Sequence, residues 1–320
     1  MPPAYFLLTK PALRDYLWGG RKLQSILGKS LPPDGVWAES WEVVDHPEHQ
    51  SEIRNGAFAG QSLRQLSESH PQWLFGETQT PRLPLLLKYL DCQRVLSVQV
   101  HPEDTYAQQM SPPDLGKTEA WYIVDAEPGA VLYAGLNPGV TPEQLRTAIT
   151  AGSVEDCLHR IEPKRGDCVF IPAGTVHALG AGLLVAEIQQ ASNTTFRLFD
   201  WNRVDANGKP RALHVEQSLE VIDFESGPRP LQTPAATDQP GRERLVECDK
   251  FTFDRLTGSL SIAGDGRLHL LTAPYGGATL SAGNERLELA VGESVIIPAA
   301  MSQVQAEIDA GKVLLDMYVA

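Results

Sequence analysis

Residues 98–119 read VQVHPEDTYAQQMSPPDLGKTE and carry three polar side chains at places where β-strands are expected. Gln99 and His101 are two residues apart, so on a strand both side chains point to the same face. Glu119 stands directly before AWYIV (residues 120–124), a run rich in the aromatic and β-branched residues that favour strands. The pattern predicts that these three donors lie at the ends of two strands, Gln99 and His101 on the first and Glu119 on the second.

A second segment downstream completes this pattern. Residues 166–177, GDCVFIPAGTVH, combine a strand-like apolar run with a glycine-containing turn that ends in His177. The combined pattern is typical of the small β-barrel called a cupin, a jelly roll whose ligands point inwards. It consists of two donors two residues apart, an acidic donor on a later strand, and this turn. Nitrogen and oxygen donors suit zinc, iron, manganese or nickel. We therefore predict a cupin barrel with a metal site.

Length and composition limit the class of protein. The chain has 320 residues, 42% of them hydrophobic, which is enough for one large or two modest domains with a buried core. No apolar run approaches the ~18 to 20 residues that span a bilayer, and residues 1–5 (MPPAY) lack the features of a secretory signal. We therefore expect a soluble, cytoplasmic protein.

Charge and cysteine usage limit the partners. The net charge of −13 argues against nucleic acid or an anionic membrane surface as a partner. An anionic substrate must therefore be held by a local basic cluster. The four cysteines are scattered without CxxC spacing, so we expect reduced thiols rather than disulfides or a thiolate metal site.

An internal repeat predicts a second barrel. Residues 292–303, GESVIIPAAMSQ, align with 166–177, but Gln303 stands in place of His177. No Lys-x-Glu motif occurs in residues 268–280, the strand pair that precedes the repeat. We expect the second barrel to keep the fold without the metal.

The expected fold class is mainly β, with two cupin-type jelly-roll β-barrels and a few short helices inserted in or attached to the first. Residues 1–228 are predicted to form the catalytic, metal-binding cupin domain, with a helical insertion at 141–160. A stretch rich in proline, glycine and threonine provides a linker at 229–241. Residues 242–320 are predicted to form a degenerate, metal-free cupin-like domain.

The segments QVHPED, GKTEAWYI, PAGTVHALG and NTTFRLFDWNR, in this order, resemble the type I phosphomannose isomerases in the short form common in bacteria. The resemblance covers residues 14–224 well and the C-terminal barrel by pattern alone. It implies an isomerase of mannose 6-phosphate and fructose 6-phosphate with one zinc ion per chain. The roles that it implies are zinc ligands at His101, Glu119 and His177 with Gln99 as the fourth, Arg197 as the active-site arginine, and Lys117 in the sugar-phosphate pocket.

The chemistry of that reaction suits these residue types. Proton transfer between neighbouring carbons through an enediolate places negative charge on oxygen, which a divalent cation and a guanidinium both stabilise. Arg197 could instead pair with Asp200 in the core. Asn193 departs from many family members, which have Asp there; if that carboxylate is their base, this chain needs another. The candidate bases are Glu187, Asp200, Lys117 and metal-bound water.

Further side chains are candidates for substrate binding. Lys117 is two residues from Glu119, so on a strand both point into the same cavity. Lys88 lies in the apolar run 83–90 (LPLLLKYL), where a lone lysine must face a polar cavity or a counter-charge. Trp18, beside two glycines, is either a packing residue or a ring that stacks on a sugar. Additional phosphate-anchor candidates are Arg203, Lys209 and Arg211.

Other functions are compatible with a metal-binding cupin. An iron oxygenase would need open coordination positions for O₂, and a non-catalytic sensor or an isomerase of a different sugar phosphate would keep the same fold. Retention of the metal donors together with Arg197 favours the isomerase, because binding alone would not require both. The sequence predicts a small-molecule sugar-phosphate partner and does not indicate the oligomeric state.

Overall fold

The structure is a computed structural model that describes residues 3–77, 80–204 and 208–320, and its mainly β character confirms the predicted fold class. In chain order the strands are β1 (Ala12–Arg14), β2 (Glu39–Val43), β3 (Asp45–His46), β4 (His49–Gln50), β5 (Leu85–Cys92), β6 (Val98–Val100), β7 (Glu119–Ala126), β8 (Leu132–Leu136), β9 (Leu158–Ile161), β10 (Cys168–Ile171), β11 (His177–Leu179), β12 (Leu183–Gln190), β13 (Phe196–Phe199), β14 (Ala235–Ala236), β15 (Arg242–Glu247), β16 (Phe251–Leu256), β17 (Ser259–Ile262), β18 (His269–Tyr275), β19 (Ala278–Ala282), β20 (Glu285–Leu289), β21 (Ser294–Ile297), β22 (Val304–Ile308) and β23 (Val313–Val319). The helices are α1 (Lys22–Ser25), α2 (Leu63–Ser69), α3 (Pro71–Phe75), α4 (Asp104–Ala107), α5 (Pro142–Ala151) and α6 (Val215–Val221), with 3₁₀ turns at Gly56–Phe58 and Val154–Cys157.

The chain forms two compact units, each assembled from separated stretches. Unit A contains residues 1–90, 186–191 and 232–320, and unit B contains residues 91–185 and 192–231. The division falls within β5 and β12. The predicted domains, by contrast, are continuous stretches of chain, and they stay a prediction from the sequence.

Unit B is built on an antiparallel five-stranded sheet in the order β13-β6-β11-β8-β9, and β7 pairs with β10. One face of the sheet is apolar: Val100, Ala178 and Phe196 belong to a buried hydrophobic cluster that also contains Leu145 of α5. Because successive side chains of a strand alternate between faces, the residues next to these in sequence point to the opposite face. That opposite face carries the polar residues of the site described below.

Helix α5 begins where the sequence predicts a helix. The Thr141 side chain and the Gln144 side chain cap each other's backbone N–H groups, and proline occupies the first helical position. The helix ends at Gly152, whose left-handed conformation (φ 76°) suits glycine. The predicted helical insertion at 141–160 is thus a helix and a 3₁₀ turn, but it runs directly into β9. That strand forms by pairing with β8, a long-range contact that a local pattern does not contain.

Unit A contains two antiparallel sheets, β14-β15-β16-β23-β18-β21 and β17-β22-β19-β20. A single buried cluster includes Leu256 and Leu271 from the first sheet and Leu280 and Val304 from the second, so the two sheets enclose a common core. Strand β14 lies within residues 229–241, the stretch predicted to be a linker, and pairs with β15.

The N-terminal segment is part of the same unit. Leu7 exchanges two backbone hydrogen bonds with Ile296 of β21, with N···O distances of 3.0 and 2.9 Å. Phe6 belongs to the hydrophobic cluster between the two sheets. Residues at the start of the chain therefore complete the core formed by its end.

The internal repeat is visible in the strand register. In unit B, Ile171 of β10 pairs with Glu119 of β7. In unit A, the equivalent Ile297 of β21 pairs with His269 of β18. His269 therefore occupies, in the second barrel, the position that Glu119 occupies in the first.

His269 belongs to a buried charge cluster. Its Nδ1 lies 2.8 Å from Asp316 and its Nε2 lies 3.1 Å from Asp265. Arg242 donates to Asp316 and to Asp254, at 2.9 and 2.7 Å. Burial lowers the pKa of His269, but the charges and hydrogen bonds of Asp316 and Asp265 outweigh burial and raise it from 6.5 to about 9. The imidazole is therefore a buried cation at neutral pH.

We expect the stability of the protein to fall as the pH rises through the range in which His269 loses its proton. A folded pKa above the unfolded value means that the stabilisation is fully present below pH 6.5 and lost as the pH passes about 9. The loss amounts to about 3 kcal/mol at 1.36 kcal/mol per pKa unit. Urea denaturation across this range measures it, and the His269→Gln variant serves as the control because it should lack this component. A wild-type profile parallel to that of the variant would contradict the prediction.

None of the helices in the described part of the chain is long and apolar enough to cross a membrane.

Candidate metal centre

The polar face of the sheet in unit B brings three of the predicted site residues into one row. Gln99 on β6 pairs with His177 of β11 on one side and with Arg197 of β13 on the other. Residues directly opposite each other on paired strands project to the same face. Val100, Ala178 and Phe196 are their neighbours in sequence and point into the hydrophobic core, so the alternation of the sequence places the row on the opposite face.

Two further donors meet His177. Glu119, the first residue of β7, has its Oε1 3.4 Å from His177 Nε2 and its Oε2 3.5 Å from His101 Nε2. The two imidazole rings have centroids 4.8 Å apart. All three side chains are buried, and their ligand atoms lie within 4.8 Å of one another, a group that could hold a metal ion.

Backbone carbonyls orient both imidazoles. His101 Nδ1 lies 2.9 Å from the Thr194 carbonyl oxygen, and His177 Nδ1 lies 2.8 Å from the Thr175 carbonyl oxygen. A carbonyl can only accept, so each Nδ1 carries a proton, and Nε2 is the atom that each ring would present to a metal ion. Both Nε2 atoms face the oxygens of Glu119.

This donor set fits a divalent cation. Two tetrahedral ligands bound to zinc at its usual bond lengths are separated by about 3.3 Å, close to the 3.4 and 3.5 Å between Glu119 and the two imidazoles. Lone pairs of nitrogen and carboxylate oxygen repel each other at this distance unless positive charge lies between them. In the described part of the chain, Glu119 Oε2 is buried without a hydrogen bond of normal geometry.

Gln99, the predicted fourth ligand, lies beside this group. Its Nε2 lies 3.2 Å from His177 Nε2. The side-chain amide oxygen and nitrogen are assigned rather than distinguished, and rotating the amide by half a turn presents the oxygen in the same place. The four donors predicted from the sequence thus lie together on adjoining strand ends.

Lys117 lies among the same atoms. Its Nζ is 3.0 Å from Glu119 Oε2 and 3.1 Å from His101 Nε2, and the side chain is buried. The ammonium group supplies positive charge to the carboxylate. A cation bound at this centre would therefore compete with the Lys117 ammonium for the single lone pair of His101 Nε2, whereas the Glu119 carboxylate has lone pairs for both.

Arg197 is half-buried beside this centre. Its backbone is held by His214, which accepts from the Arg197 N–H and donates its own N–H to the Arg197 carbonyl. Its side chain donates to the Ala212 carbonyl at 3.0 Å, and Nε has no partner in the described ranges. Burial, with a smaller effect of nearby Arg211, lowers the pKa of Arg197. A guanidinium still keeps its charge at working pH.

Asp200 is paired with two other arginines. Arg211 donates to both carboxylate oxygens at 2.5 and 2.7 Å, and Arg203 also donates to Asp200. Burial opposes ionisation, but these hydrogen bonds outweigh it and lower the pKa of Asp200. The sequence left open a pairing of Arg197 with Asp200; within the ranges that the structure describes, Arg197 makes no ion pair with a carboxylate.

The other predicted substrate-binding residues belong to unit A. Lys88 is buried, 3.1 Å from Glu187 and 3.7 Å from Glu39, so it faces the counter-charge that its apolar surroundings require. Trp18 is 8% exposed and stacks on Tyr16. The roles of Lys88 and Trp18 in substrate binding stay predictions.

Sequence reasoning did not identify the two carbonyls that orient the imidazoles. Thr175 lies two residues before His177, so a local turn could have suggested it. Thr194 lies 93 residues from His101, and no sequence pattern connects them. A contact made by a backbone carbonyl does not require a particular side chain, so it produces no sequence motif.

A mainly β fold with a His-Glu-His group that could hold a metal ion is typical of the cupins. Residues 6–128 match the family model "Phosphomannose isomerase type I, catalytic domain". Mannose-6-phosphate isomerase ManA of Bacillus subtilis is 36% identical over 304 residues, which are 94% of this chain and 95% of that protein. The chain therefore belongs to the type I phosphomannose isomerase family.

Solved structures agree with this assignment. The crystal structure of the mannose 6-phosphate isomerase from Bacillus subtilis matches with a TM-score of 0.89 and 30% identity, covering 98% of this chain and 99% of that one. A mannose 6-phosphate isomerase bound with zinc and yttrium matches with a TM-score of 0.76 over 99% of this chain and 100% of that one, at 18% identity, which shows a shared fold.

Proposed function

We propose that this protein interconverts mannose 6-phosphate and fructose 6-phosphate, using one zinc ion held by His101, Glu119, His177 and Gln99. The observation that supports this most directly is the convergence of two oriented imidazoles on the Glu119 carboxylate, in a chain of this family. When bound, the metal supplies positive charge that polarises the sugar oxygens and stabilises the enediolate.

The sugar phosphate needs positive charge at a second point, because the chain as a whole is strongly acidic. Arg197, Arg203 and Arg211 surround a single carboxylate, Asp200, so the group has an excess of positive charge. Planar guanidinium groups bind phosphate oxygens through paired hydrogen bonds. This cluster is the proposed anchor for the phosphate or for the oxyanion of the substrate.

Lys117 is the proposed proton-transfer group. Asn193 has an amide, which does not accept a proton at working pH, and Asp200 has a lowered pKa, which makes it a poor base. Glu187 is engaged with Lys88 in unit A. The Nζ of Lys117 lies within 3.1 Å of two of the proposed metal donors, next to the place where negative charge would develop on the substrate.

The test is conversion of mannose 6-phosphate to fructose 6-phosphate by the purified protein, before and after chelation. We expect chelation to lower turnover by about 10³-fold or more, since a metal contributes several kcal/mol to the transition state. Zinc added at one equivalent per chain should restore the rate.

Three outcomes would contradict the proposal. A folded, zinc-loaded protein that binds the sugar phosphate without turnover is a sensor. One that converts another sugar phosphate has a different substrate. A protein that holds iron and consumes O₂ is an oxygenase.

A further inference from the structure

Asp114 connects two loops of unit B. Its Oδ2 accepts from the hydroxyl of Ser192 at 2.9 Å, the hydroxyl of Thr194 at 2.8 Å and the backbone N–H of Asn193 at 3.2 Å. Its Oδ1 accepts from the backbone N–H of Leu115 at 2.8 Å. One carboxylate thus holds all three residues of the segment 192–194.

This segment reaches the metal centre through its backbone. The carbonyl of Thr194 accepts the Nδ1 proton of His101 at 2.9 Å. That contact selects the tautomer with a lone pair on Nε2 and sets the direction in which the ring points. The position of His101 Nε2 therefore depends on where the segment 192–194 is held.

We propose that Asp114 is a positioning residue for the metal centre, acting through the Thr194 carbonyl on the ligand His101. The inference rests on the proposed zinc site. A charged acceptor makes hydrogen bonds roughly twice as strong as a neutral one, and three such bonds converge on one short segment. Ser192 is 1% exposed, so removal of Asp114 takes a hydrogen-bond acceptor away from a buried hydroxyl.

The same stretch of chain also carries Lys117. Gly116 donates its backbone N–H to Asp104 at 2.8 Å, and the Lys117 N–H donates to the Pro102 carbonyl at 3.0 Å. Asp114 therefore ties the loop that supplies the lysine to the segment that orients the imidazole.

The experiment is a measurement of zinc affinity by competition with a chromophoric chelator. Asp114→Ala should weaken zinc binding by about 10- to 100-fold, the usual effect of losing a residue that supports a metal ligand. Thr194→Val removes only the hydroxyl that binds Asp114 and keeps the carbonyl, so its loss should be smaller. The double variant should lose no more than Asp114→Ala, because both changes break the same connection.

Asp167→Ala is the matched control. Asp167 also accepts a backbone N–H in a loop of unit B, from Lys164 at 2.7 Å, but that turn is exposed. Zinc affinity should stay at the wild-type value in this control. A second readout independent of metal is the tautomer of His101 by nitrogen NMR in the zinc-free protein, where Thr194→Val should lower the fraction protonated on Nδ1.

The possible results separate the two proposals. If the wild-type protein does not bind zinc, the proposed metal function fails. If the wild type binds zinc and Asp114→Ala binds it equally well, or no more weakly than Asp167→Ala, the positioning role is wrong. If Asp114→Ala does not fold, Thr194→Val decides, and unchanged zinc affinity together with an unchanged His101 tautomer overturns the inference.

Discussion

Replacement of His177 by alanine is expected to empty the metal centre and to lower turnover by about 10³-fold or more. His177 contacts both Gln99, at 3.2 Å, and Glu119, at 3.4 Å. Its loss would leave three of the four proposed donors and a cavity next to a buried carboxylate. Elemental analysis of the dialysed protein gives the metal content, and the sugar-phosphate assay gives the rate.

The matched control for this prediction is His159→Ala. His159 lies half-buried on β9 of the same unit and outside the group of metal-binding candidates. This variant should keep metal and activity. One equivalent of metal retained by a folded His177→Ala protein would remove His177 from the ligand set.

The second large effect is expected for Arg197→Ala, which should lower turnover about 10²-fold or more while the metal content stays unchanged. The scale is that of losing one electrostatic stabiliser of a developing oxyanion. Arg197 shares its row with the proposed ligand Gln99, and it forms no ion pair with a carboxylate among the described residues. Its positive charge is therefore available to the substrate. Turnover is measured on protein of known zinc content.

Two further variants make this result specific. Arg197→Lys keeps the charge without the planar donors, so it should recover part of the rate. Arg160→Ala removes an exposed arginine of β9 that pairs with Glu162, and it should leave the rate unchanged. A near-normal rate in Arg197→Ala would exclude this residue from the mechanism.

The His177→Ala and Arg197→Ala variants together also distinguish metal binding from catalysis. Loss of His177 should lower metal content and rate together, whereas loss of Arg197 should lower the rate alone. If both variants lost the metal, Arg197 would act by holding β13 against β6 rather than by contacting substrate.

Much of the centre could be predicted because strands and turns leave local patterns. The two-residue spacing of Gln99 and His101, the carboxylate before an apolar strand, and the turn that ends in His177 each follow from the alternation of side chains along a strand. The start of α5 was equally visible, since a threonine cap followed by proline satisfies helix-terminal N–H groups locally. The repeat of 166–177 in 292–303 likewise predicted the second barrel.

Contacts between distant segments could not be predicted in this way. The carbonyl of Thr194 meets His101 across 93 residues, and Asp200 finds Arg203 and Arg211 rather than Arg197. The equivalence of His269 with Glu119 becomes visible only from the register between β18 and β21. Each of these depends on strand pairing or loop packing, which joins residues that no local spacing relates.

The amino-acid sequence by itself determined which residue types face the interior of each barrel, because a strand alternates its side chains whatever it pairs with. Only the tertiary structure decided which buried charges neutralise one another and which remain available to a metal or a substrate. The reason is physical: the energy of a buried charge depends on the groups within a few ångströms of it, and folding brings those groups from remote parts of the chain.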